Sequence, residues 1–188
     1  MRQSINSKWI ALIVVAVFLL FWLIGWYWSF APATYDVNKR VAQQTSVANP
    51  ANIAGYTLTS TMIEVSETLL DKPGGYLSND VIPPGVFLDN MPSFEFGVLE
   101  MIRDLALSMR KDFSRSQSQS IENPYLTKAH PKFNMDHRSW MFPSSESSYR
   151  DGITLLKQYR DALADPQNGD SQFYTRADNL REWLKQVE

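Results

Sequence analysis

The chain has 188 residues, 20 acidic and 18 basic side chains, a formal net charge of −2, two His and no Cys. The missing Cys excludes a disulfide scaffold and a Cys-ligated zinc or iron–sulfur site, and the near-neutral charge offers no electrostatic footprint for nucleic acid. The apolar fraction is 44%, yet the mean hydropathy is only −0.27, so the apolar residues are concentrated rather than spread.

The concentration lies at the start. From Trp9 to Ala31 the chain runs 23 residues without a charge, and only Gly25 and Ser29 fall outside the apolar set. A helix rises about 1.5 Å per residue, so such a run covers a hydrocarbon core of about 30 Å. Trp9 at one end and Trp26, Tyr27 and Trp28 at the other suit the two membrane–water interfaces. A cleavable signal peptide is the competing reading, with Arg2 and Lys8 as its basic region and Ala31-Pro32-Ala33 as a small-residue site. Its apolar region would be about 7 to 15 residues, shorter than this one, and Pro32 sits badly in a cleavage site. The run is therefore read as an uncleaved anchor over 9–31. Residues 1–8 form a tail placed in the cytoplasm, because its positive charges lie closest to the helix. No second stretch reaches about 18 apolar residues, which argues against a polytopic transporter.

Residues 32–56 read as a stalk or linker, with a weak helical candidate over 35–47 carrying Val37 and Val41 on one side. Residues 57–188 read as one helical domain with four amphipathic stripes. The first spans about 57–70, with Leu58, Met62, Val65 and Leu69, stopped by Lys72-Pro73-Gly74-Gly75. The second spans about 94–113, with Val98, Ile102, Leu105 and Met109. The third starts near Ser147 or Ser148 and carries Tyr149, Ile153, Leu156, Tyr159 and Leu163 until Asp165-Pro166. The fourth follows Asp170-Ser171, with Phe173, Ala177, Leu180, Leu184 and Val187 in a heptad-like seam that would also suit a homo-oligomer. No segment alternates with period 2. The expected fold is all-α: one transmembrane helix, then an antiparallel helical bundle with long ordered loops.

Two connections are long. Residues 71–93 combine Pro73, Pro83, Pro84 and Pro92 and three Gly with Tyr76, Leu77, Val81, Ile82, Val86, Phe87, Leu88 and Met91. That is too apolar for a disordered linker and reads as an ordered loop that covers the core or binds a partner. Residues 114–147 begin with a Ser/Gln tract and later gather Phe133, Trp140, Met141 and Phe142.

Three strings, ETLLDKPGGYLSNDVIPPGVFLDNMPSFEFGVL (67–99), RKDFSRSQSQS (110–120) and YRDGITLLKQY (149–159), carry a resemblance to an uncharacterised bacterial inner-membrane family, domain-of-unknown-function family 2333. The resemblance covers nearly the whole chain from about residue 9. It implies an N-terminal membrane helix and a helical envelope domain in Gram-negative bacteria, and no activity. It also implies a chain continuing beyond the last helix here, in keeping with Val187 still lying on its stripe.

Standard catalytic signatures are missing: no Gly-x-Ser-x-Gly elbow, no phosphate-binding Gly-rich loop, no His-Glu-x-x-His. His130, Asp136 and His137 are the nearest approach to a metal set, but nothing in a Pro-containing loop converges them, so surface histidines are expected, with no metal and no cofactor. The one carboxylate with a catalytic case is Glu95, between Phe94 and Phe96, paired with Asp89 or Asp80; apolar neighbours would raise its pKa and make it a general acid for cell-wall cleavage. A charge near a helix start, favoured by the dipole, explains Glu95 as well. Tyr76, Phe87, Leu88 and Trp140, with Phe142, are the candidate binding residues, weighed against plain core packing. The reading is a single-pass inner-membrane protein, anchored in the lipid bilayer through 9–31, with a periplasmic interaction or scaffolding domain for an envelope protein partner and no role with nucleic acid. The alternative is an anchored peptidoglycan hydrolase or its regulator.

Overall fold

The computed structural model describes residues 7–45, 47, 49–115, 121–167 and 171–186. Among them are seven α-helices and no β-strand. Helix α1, Ser7–Trp28, carries one charged residue, Lys8, and is exposed along nearly its whole length; Gly25 is its buried residue. It is long and apolar enough to cross a membrane.

Helix α2, Val37–Gln44, is not a continuation of α1. Asp36 caps it by accepting from the Lys39 N–H (3.0 Å). Val41 is buried, and Arg40 reaches Glu64 on the next helix at 2.7 Å. The segment expected as a stalk thus folds back on the bundle, because its short apolar side has a partner there.

The core comprises α3 (Tyr56–Asp71), α4 (Asn90–Ser108), α5 (Pro124–Phe133) and α6 (Ser145–Ala164). Their cross-links set the directions. Asp71, Glu67 and Tyr56 on α3 meet Arg150 (2.7 Å), Lys157 (2.6 Å) and Arg160 (5.6 Å to the ring centre) on α6, so these helices are antiparallel. Arg103 of α4 donates to the carbonyls of Phe133 and Met135 at the end of α5 (both 2.8 Å), whereas Arg110 meets Glu122 before its start (2.7 Å). Arg103 thereby satisfies carbonyls that a helix end leaves unpaired. With α3 and α5 running one way and α4 and α6 the other, loops 72–89 and 134–144 fall at the same end of the bundle.

Three elements differ from the sequence expectation. Helix α5 lies within the stretch read as a loop: Asn123 caps it, Pro124 sits in its first turn, and Leu126, Ala129 and Phe133 are buried. Helix α4 starts at Asn90, with Pro92 tolerated in its first turn where its missing N–H costs nothing. It continues as one π-turn, Met109–Phe113, closed by Ser114 N–H to Met109 C=O (3.0 Å). Helix α7 spans Ala177–Gln186 and turns Asn179 and Trp183 inward, leaving Leu180 and Leu184 exposed. Phe173, expected on its stripe, lies before it and stacks on Phe113 at 5.1 Å. The seam read as a core stripe therefore faces out. Val187 and the Ser/Gln tract from 116 to 120 lie outside the described residues.

Candidate functional site

The two loops at the shared end form the candidate site, and a buried ion pair fixes their geometry. Glu95 lies on the inward stripe of α4 with Met91, Leu99 and Ile102, all buried. Its carboxylate is fully enclosed, with 0% of the side chain exposed and 1% for Lys72, its partner. It accepts from the Lys72 ammonium, the Leu77 N–H (2.8 Å), the Ser78 N–H (2.7 Å) and the Ser78 hydroxyl (2.5 Å). Lys72 spends its other two protons on the Leu69 carbonyl (3.1 Å), at the end of α3, and on the Gly75 carbonyl. The first turn of the loop is thus stitched to two helices through one charged centre.

This corrects the catalytic reading of Glu95. Phe94 and Phe96 are exposed and point away from it, since neighbouring residues on a helix occupy different faces. Glu95 has its lone pairs occupied and no route to a substrate. Asp89 is exposed before α4. Asp80 is nearer the surface than Glu95, and burial, with Glu95 and Glu146 nearby and Lys72 opposing, pushes its carboxyl above the ordinary range.

Asn79 joins the loops by donating to the Ser139 carbonyl (2.9 Å) and the Glu146 carboxylate (2.8 Å). On the other side of the junction, the buried Ser145 hydroxyl bonds the Asp136 and Ser139 carbonyls (2.7 and 2.9 Å). Val81 and Ile82 consequently stand beside Trp140, Met141 and Phe142 around a shallow depression of about 310 Å³, and all five side chains are exposed. The turn Gly85–Phe87 closes against this rim. The Val86 N–H bonds the Ile82 carbonyl (3.3 Å), and a Cβ at Gly85 would collide with the Asp80 carboxylate. Phe87 projects from the turn, 79% exposed.

Of the predicted binding residues, Phe87 and Trp140 are surface groups and Leu88 is half-buried. Tyr76 is not available: it is 4% exposed and packs edge-on against Tyr149 with ring centres 5.6 Å apart. Val81, Ile82 and Met141, apolar loop residues not among the candidate binding residues, are exposed members of the same face.

The same face meets α1. Gly25 lies against Pro84 and Leu88, whose carbons are 3.4 and 3.6 Å from where its Cβ would be. Gly74, at φ 87°, lets Trp28 approach to where a Cβ would be 2.8 Å from the indole. Asn90 donates to the Ser29 carbonyl at 3.4 Å. Trp26 and Tyr27 are exposed here, as Trp9 is at the far end.

A second concavity, about 480 Å³, runs between residues 32–35 and α3 and includes Arg40, Glu64 and Asp71. Burial, then the Glu64 charge, raises the Tyr35 phenol there. The two His keep separate company. His130 faces Arg110 and Asn134, whereas His137 packs on Phe96 at 4.7 Å. Burial, reinforced by Arg110 for His130 and Arg138 for His137, lowers both pKa values.

No curated protein and no solved structure matches the chain. Among the described residues the fold is helical, with one N-terminal apolar helix compatible with membrane anchoring; residues 2–188 match a family model described as an uncharacterized protein conserved in bacteria, and the chain belongs to that family, domain-of-unknown-function family 2333.

Proposed function

We propose that the chain is a single-pass protein of the bacterial inner membrane whose helical domain lies on the periplasmic side and serves as an interaction or scaffolding module. The observation that carries this reading is α1. Twenty-two residues of high hydropathy remain outside the bundle, with aromatic residues at both ends, and such a surface needs a non-aqueous covering. Arg2 and Lys8 favour a cytoplasmic N-terminus. The scaffolding role is supported by the use of charge inside the domain. The fully buried acid and base neutralise each other and fasten a loop, an arrangement suited to holding a surface in shape rather than to proton transfer.

Alkaline phosphatase fused to the C-terminus tests the orientation. Activity is expected there, together with a dark green-fluorescent-protein fusion; the reverse pair overturns it. In-cell crosslinking with mass spectrometry tests the scaffolding role, which predicts recurrent envelope proteins as neighbours. For the hydrolase reading, purified protein is expected to leave peptidoglycan uncut, and turnover abolished by Glu95→Gln would reinstate it.

A further inference from the structure

We propose that the loop end of the bundle, from Ile82 and Phe87 across to Phe142, docks into the interfacial layer of the same bilayer that α1 spans. The proposal rests on the reading of α1 as a membrane span, and goes beyond it by giving the domain a second membrane contact and a fixed orientation.

Three observations converge. The first is depth. From Trp9 to Gly25 the helix advances 16 residues, about 24 Å at the rise of an α-helix. With Trp9 at one interface of a hydrocarbon core of about 30 Å, Gly25 sits within about one turn of the other. Pro84 and Leu88 stand against Gly25, so the turn that carries Phe87 is at the level of the hydrocarbon edge.

The second is placement. Ile82 and Val86 are joined by a hydrogen bond, and Ile82 shares its depression with Trp140, Met141 and Phe142. The exposed Trp26 and Tyr27 of α1 and the exposed apolar groups of both loops therefore lie at one end of the bundle, with Asp80, Ser144 and Glu146 among the residues around the same depression. Phe142 is 102% exposed, beyond the usual reference for an unshielded side chain. A water-facing surface seldom gathers so many bulky apolar groups, whereas Trp and Phe in the interfacial layer are a common mode of attachment.

The third is rigidity. The Lys72–Glu95 centre and the Asn79 bonds hold these loops in place, and none of these contacts is made by the exposed apolar side chains. The apolar residues are thus displayed by the fold rather than needed by it.

The Cys-free chain permits a direct test. Single nitroxide labels are placed on the full chain by Phe87→Cys, Phe142→Cys, Leu19→Cys within α1, and Asp161→Cys at the far end of α6. Each protein is reconstituted in phosphatidylethanolamine–phosphatidylglycerol vesicles. Accessibility to oxygen, which concentrates in lipid, is compared with that to a water-soluble nickel chelate. Labels at 87 and 142 are expected to favour oxygen, as at 19, with the preference reversed at 161. If 19 favours oxygen but 87 and 142 behave like 161, the docking proposal fails while α1 remains a span. If 87 and 142 are shielded from both reagents and show spin–spin broadening, a second copy covers the face and the proposal is overturned. If 19 itself reads as aqueous, the membrane reading falls and takes this one with it.

Discussion

Glu95 and Lys72 hold opposite charges where neither meets water, and their remaining hydrogen-bonding capacity is met by the loop between them and by the Leu69 carbonyl at the end of α3. Removing one charge leaves the other buried and uncompensated, which typically costs about 3–5 kcal/mol, whereas removing both removes the penalty along with the attraction. Glu95→Gln and Lys72→Met are each expected to lower the unfolding free energy by that amount. The double variant should recover a substantial part of it, because no uncompensated charge is left and the Gln oxygen still accepts from one of the two N–H groups, Leu77 or Ser78. Denaturant unfolding of the three variants measures the coupling; single losses below about 1 kcal/mol would mean water reaches the pair. The pair's position was readable in half. Glu95 falls four residues from both Met91 and Leu99, which places it on the stripe, but the sequence has no marker for a partner 23 residues away in a loop. Tyr76 and Phe87 illustrate the same limit. Both are aromatic loop residues, and outside a helix or strand no period says which one turns inward.

Helices α5 and α6 meet at Gly152, where an added Cβ would lie 2.8 Å from the Phe133 ring, itself 1% exposed. The absence of a side chain there lets the ring fill the crossing. Gly152→Val is expected to destabilise the bundle by about 1–3 kcal/mol through overpacking, read as a lower midpoint in thermal or denaturant unfolding. Stabilisation instead would show that the ring moves freely. The four-helix bundle itself was legible in the sequence only in part, and α5 shows why. Ten residues with Pro131 inside and several polar side chains give a weak period, although Asn123-Pro124 is a cap followed by the proline that suits a first turn. On α7 the period was strong and its direction misjudged. Asn179 donates to the Asp112 carbonyl exposed by the π-turn (2.7 Å), and that bond, with Trp183, decides which side faces in. Leu180 and Leu184 are left outside. An apolar stripe predicts burial only when no competing polar contact on the other face fixes the helix first.

At the scale of the whole molecule, the antiparallel order of α3 to α6 matters more than any single contact, because it sends both apolar loops to the end where α1 leaves. The joint there is small: Gly25 against Pro84 and Leu88, Trp28 over Gly74, and one bond from Asn90 to Ser29. Nothing in the core depends on it, since the core residues come from α3 to α6, the π-turn and Tyr76. Gly25→Leu places a branched side chain where the backbone now meets Pro84 and Leu88, and is expected to part α1 from the loops while leaving the bundle intact. Nitroxide pairs at Leu19→Cys and Asp161→Cys report the difference by pulsed dipolar spectroscopy in vesicles. The parent should give one narrow distance distribution and the Gly25→Leu variant a broad one, with the unfolding midpoint of the domain unchanged, because substitutions away from a packed core shift stability by only about 0.5 kcal/mol. A distribution that stays narrow would mean that the bilayer contact of the loops, rather than the joint with α1, sets the orientation. Narrowness lost only when Phe87→Asp and Phe142→Asp are added would then assign that role to the apolar face.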